Sequence, residues 1–194
     1  MMIGRRTLLA TGGLWLAGNV QEDTGVIDIA MSGNDDGSKV WYDPIGLLVE
    51  SGATLRWMIM ANVHSVAAYH PDNDNHSLRI PEKAKPWNSD ILVNPGDHFE
   101  VTLTEPGVYD YFCTPHEQAG MVGRIIVVSA SGPGTLPFDY FKSMTPKPDW
   151  REVPEAAQQN FPSIEKILAD GFVRTQMYEI TRHRSSRGPT NRPR

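Results

Sequence analysis

A single cysteine, Cys113, stands among 194 residues, so no intrachain disulfide can substitute for a core. Positive charge is scarce in the body of the chain. Residues 25–170 hold 10 Lys plus Arg against 20 Asp plus Glu, and an acidic body of this kind lacks the basic face that nucleic-acid binding requires. No repeat at a fixed period is visible, and no convincing helical pattern precedes residue 130. The apolar stretch near the N-terminus falls short of the roughly 20 residues that a membrane span needs.

Turn formers and short apolar segments are present instead. Gly (17) and Pro (15) are frequent enough to supply many turns, yet too scattered for a low-complexity chain. Residues 25–31 (GVIDIAM) alternate like a strand. Strand-like segments follow at 39–43 and 47–50, broken at Pro44, and then at 54–60, 91–93, 98–103, 108–113 and 124–128. Between them lie Asn-, Asp-, Gly- and Pro-rich turns such as 94–97 (NPGD). Short strands at this spacing predict an all-β sandwich or barrel over residues 25–130.

The flanks differ from this body. Residues 1–24 carry Arg5-Arg6 ahead of a mostly apolar run and resemble a twin-arginine export signal, which predicts a periplasmic or otherwise exported protein. Residues 129–137 (SASGPGTLP) read as a linker into an extension, 131–194. There Phe138, Tyr140, Phe141 and Trp150 predict a strap on the body. A short helix is expected over 162–169, with Ile164, Ile167 and Leu168 on one face and Gly171 just past its end. From Gly171 onward six Arg face one Glu. This basic tail is expected to be disordered beyond residue 181, and is available to a membrane surface, a partner or the protein's own acidic body.

The chemistry concentrates in residues 111–123, YFCTPHEQAGMVG. Thiol, imidazole and thioether fall within the nine residues from Cys113 to Met121, with strands on both sides. Soft sulfur donors combined with imidazole select copper, and a trigonal His₂Cys set with a weak axial Met is the blue-copper arrangement. The loop offers Cys113, His116 and Met121; the second histidine must come from elsewhere. His64, after the strand at 54–60, is the first candidate and His70 the competitor. His76 and His98 rank lower, in an apparent polar loop and at a strand edge.

The pattern Cys-x2-His-x4-Met, with a histidine upstream at the end of a strand, resembles the cupredoxins of plastocyanin and pseudoazurin type. Residues 44–57 (PIGLLVESGATLRW), 106–109 (PGVY) and 123–128 extend the resemblance across residues 25–130. It implies a Greek-key β-sandwich and one type 1 copper site ligated by His64, Cys113, His116 and Met121. It also implies single-electron exchange with redox protein partners such as a cytochrome or a copper enzyme, and no catalytic activity. By the same resemblance, the ring edge of His116 is the electron port, with Pro115 and Met121 in an apolar patch around it.

Three departures stand out. Ser65 takes the place of a frequent Asn after the first histidine, the segment between His64 and Ile91 is longer and more polar than in small members, and the extension is unusual. Copper storage or delivery, and a fixed redox subunit of a membrane complex, use the same ligands and remain as alternatives. A copper oxidase or nitrite reductase is disfavoured, because no His-x-His pair is present for further copper.

Overall fold

The computed structural model describes residues 25–175. The expected export signal, and the tail expected to be disordered, lie outside the described residues. In chain order the strands are β1 (Ile27–Gly33), β2 (Val40–Asp43), β3 (Gly46–Val49), β4 (Ala53–Ile59), β5 (Ala67–Ala68), β6 (His98–Leu103), β7 (Gly107–Phe112), β8 (Val122–Val127) and β9 (Phe172–Val173). They form two sheets, one ordered β2-β1-β4-β6 and the other β5-β7-β8-β3-β9. Pairing is mixed: β1 runs parallel to β4 and β3 parallel to β8, while β4–β6 and β7–β8 are antiparallel. The chain crosses from the first sheet to the second at Pro44, where the sequence breaks its strand pattern.

Alternation in the first sheet does what the sequence pattern predicts. Ile29 and Met31 on β1, with Leu55, Trp57 and Ile59 on β4, are buried, while their neighbours face outward. From the second sheet, Val49, Tyr109, Tyr111, Ile125 and Val127 complete this core. The second sheet departs from alternation: every residue of β7 and β8 is buried. Their outer face is covered by the extension, through Val108 and Ile126 packing on Ile167 and through Phe112 and Val122 packing on Val153 and Ala157.

Among the described residues the extension holds two short α-helices rather than the one expected, α1 (Glu155–Asn160) and α2 (Ile164–Asp170), followed by β9 on the edge of β3. Ser163 caps α2 by accepting from the Lys166 N–H, and Gly171 terminates it at φ 77°. Ile167 is fully buried against the sheet, but Leu168, expected on the same face, is 45% exposed. A seven-residue helix keeps only one narrow stripe inward, and Ile164 with Ile167 fills it. The strap forms as expected: Phe141 is buried, and the Tyr140 hydroxyl donates to the Leu78 carbonyl at 2.8 Å. Residues 91–93 make only a bridge between Leu92 and His64 in place of the expected strand.

A buried ionic cluster ties the extension down. Asp110 on β7 accepts from Arg79 Nε and Arg124 Nε, each at 2.7 Å. Both guanidinium groups reach on into the extension, Arg79 to the Gly134 carbonyl at 2.9 Å and Arg124 to the Pro162 carbonyl at 3.0 Å. Two buried cations around one carboxylate are tolerable because carbonyls and aromatic faces complete their shells. Phe138 lies 4.2 Å from the Arg79 guanidinium carbon and Phe161 4.9 Å from that of Arg124. Of the tail arginines, Arg174 bonds to Asp43, whose carboxylate also accepts from the Thr175 N–H, so the tail begins on the acidic body.

Candidate metal centre

At one end of the sandwich three elements converge. His64 lies beyond β4, held by reciprocal backbone bonds to Leu92: its N–H donates at 3.2 Å and its carbonyl accepts at 2.8 Å. Cys113 follows β7, and a 3-10 turn over Thr114–Ala119 carries His116 before Met121 leads into β8. Pro115 is the second residue of the turn, where a missing N–H costs nothing, and Gly120 ends it at φ 81°. A side chain on Gly120 would also strike Asn160 and the Ala156 carbonyl of α1, so this glycine permits both the bend and the close approach of the extension.

Cys113 Sγ lies 3.8 Å from His64 Nδ1 and 3.4 Å from His116 Nδ1. The potential donor atoms of all three lie within 4.8 Å of one another. A first-row ion with metal–nitrogen bonds of about 2.0–2.1 Å and a metal–sulfur bond of about 2.3 Å would place trigonal donors roughly 3.5–3.8 Å apart. The three residues fit such an ion, and their softness fits copper. Met121 is fully buried in the same core as Cys113, whose N–H donates to the Met121 carbonyl at 3.0 Å. Its burial removes it from the expected surface patch; a thioether packed in the core cannot line a contact surface. His116 is half-buried and Pro115 exposed.

His70 does not join the site. Its Nδ1 accepts the Asp72 N–H at 3.1 Å, in a turn after β5. His98 is exposed on β6. His76, expected in a polar loop, is buried at 2% exposure and faces Glu117. No motif in the sequence marks that contact, because the loop around His76 is polar at nearly every position.

Ser65 makes the link across the site by two routes. Its hydroxyl accepts from the Thr114 N–H at 2.8 Å, and its backbone N–H points at Cys113 Sγ at 3.3 Å. The Tyr42 hydroxyl donates to the Ser65 carbonyl at 2.6 Å and so holds the next peptide unit. The substitution for Asn was legible in the sequence; the part played by Tyr42 was not.

Burial sets the protonation of these donors. It pulls His64 from 6.5 down to about 4, assisted by the neighbouring His116, and pulls His116 down as well. It pushes the Cys113 thiol up, against the Ser65 N–H that favours thiolate. Both imidazoles are therefore neutral and ready to ligate near neutral pH.

The sequence profile of copper binding proteins of the plastocyanin/azurin family matches residues 29–128. The chain belongs to that family. This cupredoxin is 35% identical to plastocyanin of Sambucus nigra over 97 residues, which is 49% of this chain and 94% of that one. It is 29% identical to chloroplastic plastocyanin of Hordeum vulgare over 119 residues, 61% of this chain and 71% of the relative. A pseudoazurin from Sinorhizobium meliltoi shares the fold, with a TM-score of 0.50 and 23% identity over 75% of this chain and 98% of its own. That share exceeds what residues 25–130 supply, so the common fold runs into the extension. As a family member the cupredoxin is a copper protein of the electron-transfer class. Among the described residues, no helix is long and apolar enough to cross a membrane.

Proposed function

We propose that this cupredoxin carries single electrons between redox proteins on one type 1 copper, held by His64, Cys113 and His116 with Met121 as the weak axial ligand. The observation that supports it is the convergence of one thiol and two imidazoles within 4.8 Å in a site otherwise walled by the hydrophobic core. Bound copper would supply the one-electron chemistry. The protein's task is to hold the donors still, because transfer is fast when the ligands barely move between oxidation states. Ser65, Tyr42 and the Leu92 bridge restrain the loops that bear them.

His116, half-buried beside exposed Pro115, is the proposed port for electrons. The acidic body would steer a basic partner into a small, transient encounter whose rate falls with salt. The proposal includes export by the twin-arginine signal over residues 1–24 to the periplasm, supported by Arg5 and Arg6.

The test is the visible spectrum of the copper-loaded protein. Intense absorption is expected in the wild type and in a His70→Ala variant, and its loss in Cys113→Ser and His64→Ala. A coloured Cys113→Ser protein would sink the assignment. Met121→Leu should keep copper and shift the reduction potential; an unchanged potential would remove Met121 from the ligand set. Fractionation of cells carrying Arg5→Lys with Arg6→Lys should find the protein retained in the cytoplasm.

A further inference from the structure

The turn that carries His116 rests on a buried carboxylate that the copper reading leaves unused. Among the six residues of the turn, Glu117 is the one that is buried, at 5% exposure. Packing alone would call for an apolar side chain here, since a buried carboxylate is costly unless its oxygens are bonded. Both oxygens are bonded. Oε1 accepts from the Tyr69 hydroxyl at 2.7 Å, and Oε2 lies 3.1 Å from His76 Nε2.

The two partners are themselves immobile. Tyr69 is locked through its backbone, donating to the Asp110 carbonyl and accepting from the Arg79 N–H, and its ring lies 4.6 Å from that of Phe112. His76 lies 4.3 Å from the same ring, and its Nδ1 is 2.5 Å from the Asn73 carbonyl. That carbonyl can only accept, so Nδ1 carries a hydrogen. Nε2 can then face Glu117 only with a proton between them, on one group or the other. Tyr69, His76 and Glu117 thus form a closed set of directional bonds. Glu117 is adjacent to His116, and its own carbonyl accepts from the Gly120 N–H at 2.9 Å, one residue before Met121. From the opposite side Asn160 of α1 donates to the Gly120 carbonyl at 2.9 Å.

We propose that Glu117 is a positioning residue of the copper site, holding the His116 turn on a Tyr69–His76 strut so that the donor atoms stay in place as electrons pass. The inference rests on the copper reading above. His76 gives the long polar segment after His64 a purpose: it delivers one arm of the strut.

The test compares Glu117→Ala, Glu117→Gln and Tyr69→Phe in the copper-loaded full chain, by visible absorption, by the copper hyperfine pattern in electron paramagnetic resonance, and by electron self-exchange rate. Glutamine preserves the geometry, accepting from Tyr69 and donating to the bare Nε2 of a neutral His76. It should retain the wild-type spectrum and rate. Alanine should shift the band intensities and hyperfine pattern and slow self-exchange several-fold, and Tyr69→Phe should shift them the same way by less. If the alanine variant does not fold, Tyr69→Phe decides. Wild-type spectra and rates in Glu117→Ala or Tyr69→Phe, with only thermal stability lowered, would overturn the proposal, as would equal changes in Gln and Ala. A wild-type protein that takes up copper without intense absorption would instead refute the carrier reading, and the role of Glu117 with it.

Discussion

The two sheets of this sandwich are built from similar strands but live in different surroundings. The first, β2-β1-β4-β6, has one wet face, and its charges pair across the surface, as Arg56 does with Asp28 at 2.7 Å. In the second, β7 and β8 are dry on both faces, and their charges, Asp110 and Arg124, are buried among the extension's carbonyls. The ligand loop hangs from β7 and β8, so three of the four proposed ligands belong to the sheet that the extension covers. The extension is thereby part of the scaffold of the site.

The sharpest way to break this comparison is Asp110→Ala. It would leave Arg79 and Arg124 buried without their anion and should cost about 3–5 kcal/mol in unfolding free energy, measured in urea. A cost near that of a surface pair would mean that the extension is loosely held. Next is Ile167→Ala, which empties the contact between α2 and the β7–β8 face; about 2–5 kcal/mol is expected. Leu168→Ala, one residue along, should stay within about 0.5 kcal/mol, since Leu168 is 45% exposed.

Legibility followed the same division. The first sheet was readable because alternation survives where one face is wet, as on β1 and β4. Cys113, His116 and Met121 were readable because one short loop carries all three, and His64 because a strand precedes it. Continuous burial of β7 and β8 gave no alternation to reveal what covers them, and the two-residue β9 is too short to signal a strand. The expected helical face of Ile164, Ile167 and Leu168 assumed a wider stripe than a seven-residue helix buries. Glu117, His76 and Tyr69 come from separate elements, and nothing in their spacing brings them together.

The site bridges the two sheets, and protons report on that bridge. The unfolded chain protonates His64 near its ordinary value of 6.5, whereas the folded, copper-free protein resists until about 4. The folded state therefore binds fewer protons in this window. The contribution of His64 is fully present above 6.5 and is lost as pH falls through 4, at most about 3 kcal/mol in all. Carboxylates add slopes of their own, so the measurement is a difference: urea unfolding of copper-free wild type and His64→Gln at pH 7 and pH 5. The variant should show the shallower loss toward acid.

The weaker of the two arginine–carboxylate pairs belongs to the wet sheet. Asp28 is 57% exposed and Arg56 30%, and an ion pair so placed gains little Coulomb energy while ordering two side chains. Asp28→Ala should cost about 0.2–1 kcal/mol, and moderate salt should screen part of that in the wild type. The geometry at Arg56 is two-pronged, with Nε and Nη2 reaching the two carboxylate oxygens, which places the expectation toward the upper end. Asp28 and Asp110 are both carboxylates gripped by arginine at 2.7 Å. If their removal cost the same, hydrogen-bond geometry and not burial would set the strength of these pairs. A several-fold difference would instead assign the excess to the cover that the extension lays over β7 and β8.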